Sequence, residues 1–399
     1  MNTAYLFAAI LAGGYLGSRL IFTRFKLARE TEHMFLLGGE YILIGYLLGP
    51  SVLNILSGEN IRQLSPIIVV GIGWLGLLLG NQLCWRNLRR FPAHMYQLLI
   101  LENLLFILIT GCLIWLLFKF TDLFFFNLGS SGFWVLLGAM TATSPTTLSL
   151  MAHHLKIPMR FTLVLRFLSS MDGLLGVVFL GIFYGLVHDP VLAFGLNLSG
   201  IFWFGLALLL GVLGGLFFHL IIRESSNDFE TVLIIIGLVI YTGGLAYFLN
   251  ISALFVAFVI GIVMANLSPA QAKVHHILST TEKPFYIVFL VFAGALWNFS
   301  YWYLFLIAPL IFVIRILAKL FSTWGSTKVI PYYRKELWSL GLGLSSLAGL
   351  ALAIAIEFYL LKPGETAEIF LGLVIFMVLI NQLAAPFILR YLLPGLRSK

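Results

Sequence analysis

Stretches of about 20 apolar residues, nearly free of charge, follow one another along this chain, and each is long enough to cross a bilayer as a helix. Inside lipid the backbone has to satisfy its own hydrogen bonds, which limits spanning segments to helices or closed barrels, and apolar runs of this length lack the alternation of a barrel strand. Thirteen candidate spans follow, near residues 3 to 22, 33 to 56, 64 to 83, 95 to 118, 131 to 153, 161 to 187, 191 to 222, 229 to 249, 251 to 267, 284 to 298, 301 to 322, 336 to 359 and 366 to 392. Only 10% of the residues are charged, against about 25% in a soluble domain, which excludes a water-soluble fold. The expectation is an all-α polytopic membrane protein, one membrane domain over 1–399. No charged n-region and cleavage site open the chain, so its first apolar stretch reads as a span rather than a signal peptide. No soluble regulatory domain is expected.

The formal net charge of +8 resembles a nucleic-acid signal until its positions are inspected. Loops after odd-numbered spans and the C-terminal tail hold seventeen Lys and Arg residues, from Arg24 to Lys399; loops after even-numbered spans hold three, Arg62, Lys119 and Lys362. Basic residues collect on the cytoplasmic side, so the bias places the N-terminus outside and the C-terminus in the cytoplasm of a multi-pass inner (plasma) membrane protein. The partner that this charge implies is the lipid bilayer, with no nucleic acid. Cys84 and Cys112 make neither a disulfide framework nor a metal-ligand spacing, and both read as packing residues. The histidine pairs His153–His154 and His275–His276 build no zinc constellation, so no metal site and no cofactor are expected.

Two spans are interrupted. The fifth carries Thr141, Thr143, Ser144 and Pro145 at mid-span; the twelfth carries Gly341, Gly343, Ser345, Ser346 and Gly349. Pro145 removes a backbone N–H and collides with the carbonyl four residues back, which frees carbonyls near 140 to 142. Transporters built from inverted repeats place broken helices at corresponding positions of the two halves. With repeats at about 1–190 and 229–399, and the span near 191–222 as linker, both interrupted spans stand fifth in their repeat.

Asp172 lies at the middle of the sixth span, where a carboxylate costs about 3 kcal/mol and marks a functional site by default. A group able to hold a proton or a cation, but not both, suits an exchanger. The hydroxyls of Thr143 and Ser144 and the carbonyls freed by Pro145 are hard oxygen ligands for a monovalent cation. Ser345 and Ser346 mark the second break. Arg315 is deep enough in the eleventh span to need an acidic partner, Asp172 or Glu102, whereas Lys319 is placed to snorkel to the cytoplasmic surface. Arg166, six residues before Asp172, is a second candidate charge partner. Glu40 and Glu357 read as interfacial.

These segments resemble the monovalent cation:proton antiporter superfamily, especially its Kef-type and bacterial sodium/proton exchanger branches. The resemblance runs through GYLLGPSVLNIL from Gly45 to Leu56, WLGLLLGNQLCWRNLRR, TATSPTTLSL, LFVAFVIGIVMANLS from Leu254 to Ser268, VFLVFAGALWN and LGLGLSSLAGLALAIAI. It implies a sodium/proton antiporter-like fold: inverted repeats, two crossed discontinuous helices, and a core that moves against a dimerisation domain, hence a homodimer. It also implies that Asp172 is the cation- and proton-binding acid, that Thr143, Ser144 and Pro145 form the crossing, and that Arg315 is the basic residue of a later core helix. The expected activity is secondary antiport of sodium or potassium for protons by alternating access, and no enzyme chemistry. The departure is Met171, where relatives place Asp, Asn or Gln; a thioether is a poor ligand for a hard cation. An alternative reading rests on it: a degenerate, non-transporting or channel-like component that has kept the fold. A membrane-embedded hydrolase has no support, since no HExxH, GxSxG or second intramembrane aspartate accompanies Asp172.

Overall fold

The computed structural model describes residues 39–120, 129–143, 159–188, 191–193, 196–198, 200–222, 227–268, 271–298, 301–330, 332, 337–347 and 349–392. The expected first span, Ser144 and Pro145 lie outside these residues. Among the described residues the helices are α1 (Gly39–Leu48), α2 (Gly58–Asn81), α3 (Trp85–Leu88), α4 (Ala93–Phe120), α5 (Gly129–Thr141), α6 (Met159–Val187), α7 (Gly200–Ile222), α8 (Asp228–Phe248), α9 (Ala253–Leu267), α10 (Gln271–Leu296), α11 (Leu304–Val329), α12 (Leu337–Gly343), α13 (Gly349–Leu361) and α14 (Glu365–Leu392). Seven of them are long and apolar enough to cross a membrane, and α10, bent by 41° near Pro284, makes an eighth.

Several expected boundaries shift, each for a local reason. The span expected over 33–56 stops being helical at Leu48, where Gly49 and Pro50 open a turn and Asn54 takes a positive φ of 52°. The next helix starts earlier than residue 64 because Ser57 caps it, its hydroxyl accepting from Asn60 N at 3.3 Å. Residues 191–193 and 196–198 are not helical: β1 (Val191–Ala193) pairs antiparallel with β2 (Leu196–Leu198), in register Val191 with Leu198. The tenth span begins at Gln271 rather than 284, because Pro284 bends the helix without ending it. Cys84 is buried, as expected of a packing residue, whereas Cys112 is exposed on α4.

Two packed groups emerge. In one, α2 lies against α9 and α1 against α10, with α7 and α8 on α9 and α2. These contacts are backbone to backbone: a Cβ on Gly45 would collide with the Val291 carbonyl, and one on Gly261 would sit 2.5 Å from Leu77 O, so only glycine permits the approach. In the other, α11 packs on α4, α12 and α14, α5 packs on α6, and α13 packs on α5 and α14. The groups meet where α6 touches α7 and where α10 touches α13. Glu357, 3% exposed, bridges them: its carboxylate accepts from Ser252 Oγ at 2.9 Å and Leu254 N at 3.0 Å at the start of α9. Glu40 is buried too.

Candidate functional site

The site forms inside the second group, where α5 stops and where the chain breaks between α12 and α13. The end of a helix leaves carbonyls without intrahelical partners, and in a bilayer no water replaces them. Here one side chain does. Arg315 on α11 is fully buried; its Nε donates to Met140 O at 3.0 Å and its Nη2 to Ala142 O at 3.0 Å, both at the end of α5. The same guanidinium reaches the other break, with Nη1 donating to Ser345 O and Nη2 to Ser346 O at 3.4 Å. A planar fork of fixed donors is suited to gathering four carbonyls, and its charge opposes the negative ends of two helices. Another carbonyl of the second break, Leu347 O, accepts from Asn381 Nδ2 on α14 at 2.9 Å.

One turn further along α11, Lys319 is also fully buried. Its ammonium lies 2.8 Å from Asp172 Oδ2 and 3.2 Å from Glu102 Oε1, and 4.4 Å from the centre of the Phe106 ring. Asp172, 0% exposed on α6, holds a complete shell. Oδ2 accepts also from Thr143 Oγ1 at 2.9 Å, and Oδ1 accepts from Asn103 Nδ2 at 3.0 Å. Thr143 Oγ1 lies 3.3 Å from Leu344 O, so one hydroxyl touches the acid and both helix breaks. Ser322 Oγ donates to Glu102 Oε1 at 3.0 Å, while Glu102 Oε2 has no partner among the described residues.

The expected residues therefore separate. Asp172 and Thr143 come together, with the backbone of Ser345 and Ser346 beside them; the Ser345 hydroxyl itself turns back to Leu342 O at 2.7 Å. Arg315 contacts carbonyls rather than an acid. Lys319, expected at the cytoplasmic surface, is instead the fully buried ammonium that pairs both acids; Ser322, Thr323, Ser326 and Thr327 continue its helix, all fully buried. Arg166 is exposed and outside the network. Sequence reading passed over Asn103, Ser322 and Asn381 and gave Glu102 to the wrong cation. The usable signals were the four-residue spacing of Arg315 and Lys319 and the polar pair Glu102–Asn103 within an apolar helix.

Asp172, Thr143 and Leu344 O offer oxygen ligands at one point, with an ammonium seated on the same carboxylate. A hard monovalent cation suits such ligands. No cluster of His, Cys, Asp and Glu suited to a resident metal occurs among the described residues.

A model of the family described as sodium/hydrogen exchanger, transmembrane, matches residues 6–392. The fold is similar to that of the sodium proton antiporter MjNhaP1 from Methanocaldococcus jannaschii, in a structure at pH 8, with a TM-score of 0.68 over 98% of each chain at 17% identity. No curated protein sequence matches.

Proposed function

The chain belongs to the sodium/hydrogen exchanger family, a family of cation/proton antiporters, and from that premise we propose that it exchanges sodium, ahead of potassium, for protons by alternating access. The observation that carries this reading is the buried carboxylate of Asp172 at the meeting point of two helix breaks. The arriving cation takes the place of the Lys319 ammonium at Asp172 Oδ2 and completes its shell with Thr143 Oγ1 and Leu344 O. A proton arriving at Asp172 removes the charge that held the cation, so the two substrates exclude one another. Arg315 keeps the two helix breaks together while the site changes sides, and the group built on α4, α5, α6 and α11 to α14 moves against the group built on α1, α2 and α7 to α10. Ser144 and Pro145, outside the described residues, belong to this reading as a further hydroxyl ligand and the helix breaker that the sequence supplies. The proton gradient supplies the driving force and no cofactor enters. The protein works as a homodimer in the inner membrane, N-terminus outside and C-terminus in the cytoplasm.

The test uses purified protein in proteoliposomes with a pH-reporting dye. Sodium addition should dissipate an imposed proton gradient with wild-type protein, and Asp172→Asn should abolish the response. Full activity in that variant, or none in the wild type, would sink the reading.

A further inference from the structure

Two carboxylates share one ammonium in this site, and the exchange cycle proposed above uses only one of them. Lys319 sits between Asp172 at 2.8 Å and Glu102 at 3.2 Å, with all three side chains fully buried. When a cation or a proton occupies Asp172, Lys319 loses its nearer partner, and a buried ammonium without a counter-charge is strongly penalised. Glu102 is built to receive it. Ser322 fixes its Oε1 at 3.0 Å, the Phe106 ring lies against the ammonium, and Oε2 has no hydrogen-bond donor among the described residues. Arg315 is engaged elsewhere, with four of its five N–H donors on the carbonyls of Met140, Ala142, Ser345 and Ser346.

We infer that Glu102 is a positioning residue that holds the Lys319 ammonium whenever Asp172 is occupied. The inference rests on the exchange reading for its place in the cycle. In the resting site Lys319, charged, bridges Asp172 and Glu102, both ionised. Cation entry puts the cation on Asp172 and leaves Lys319 paired with Glu102; proton entry puts the proton on Asp172 and leaves the same pair. Lys319 keeps its proton throughout. The cation-loaded and proton-loaded sites then carry equal charge, so one cation exchanges for one proton with no net charge moved. The second acid of this site is supplied by α4, not by position 171.

Thermal unfolding of purified protein tests the holding role without transport. Asp172→Asn should melt close to wild type, because Glu102 still pairs Lys319. Asp172→Asn with Glu102→Gln should melt lower by about 5 °C or more, or fail to fold, and adding Lys319→Gln should recover the loss. If Glu102→Gln adds nothing in the Asp172→Asn background, or Lys319→Gln recovers nothing, Glu102 does not hold the ammonium. Transport tests the consequence: Glu102→Gln should raise the sodium concentration for half-maximal exchange about tenfold, and Glu102→Asp should restore most of it. Wild-type exchange driven by an imposed membrane potential, at equal ion gradients, would overturn the charge-neutral cycle. If no protein exchanges ions at all, the antiport reading falls while the melting series still decides the role of Glu102.

Discussion

At the scale of single residues, Met171 and Glu102 have to be considered together. Met171 is only partly buried and packs against both apolar clusters, one around α2, α9 and α10 and one around Phe161, Leu165 and Leu168. Its neighbour Asp172 faces the polar network, so the thioether occupies a packing position and the second acid comes from another helix. An exchange-degraded site is therefore not what Met171 by itself implies. Met171→Asn should give exchange no higher than wild type and should cost about 1 kcal/mol of stability, by placing an amide among apolar contacts. Parallel proteoliposome assays and melting curves measure both; a gain of exchange would return the degenerate-site alternative. The expectation that position 171 completes the site comes from the resemblance, in which that position holds Asp, Asn or Gln; in this chain successive helical residues point about 100° apart and the thioether turns to packing.

At the scale of elements, the broken helices were legible in the chain because a proline, glycines and hydroxylated residues act locally on the helix that contains them. What closes the breaks was not. Arg315 joins α11 to the ends of α5 and α12 by contacts to residues 175, 173, 30 and 31 positions away. An acidic partner was expected for it, since depth in the bilayer demands compensation, but four carbonyl dipoles supply that compensation as well. Arg315→Lys keeps the charge and loses the fork. Three donors on one nitrogen cannot span both breaks, so the variant should lose on the order of 3 kcal/mol of stability. Exchange should fall about tenfold or more as the site loses its geometry. A Lys variant that melts and transports like wild type would show that charge alone suffices. Helix ends at Leu48 and Gly58 likewise depend on a turn and a cap that hydropathy does not report.

At the scale of the whole molecule, orientation is set by where Lys and Arg accumulate, a property that needs no coordinates. In a background with Cys84 and Cys112 replaced by serine, a membrane-impermeant maleimide should label exposed Glu59→Cys in intact cells and exposed Asn87→Cys only in everted vesicles. The opposite pattern would invert the assignment. The sequence by itself determined the membrane, the succession of spans, the two interruptions and the acid at the centre of the sixth span. Each follows from hydropathy, charge or backbone chemistry acting within a few residues. Only the tertiary structure decided that Lys319 rather than Arg315 pairs with Asp172, that Arg315 binds carbonyls, and that Glu102 brings a second acid. Those contacts join residues 147 and 217 positions apart, and they depend on the rotation of each helix about its own axis. Hydropathy states how deep a side chain lies in the bilayer; only packing states which way it points.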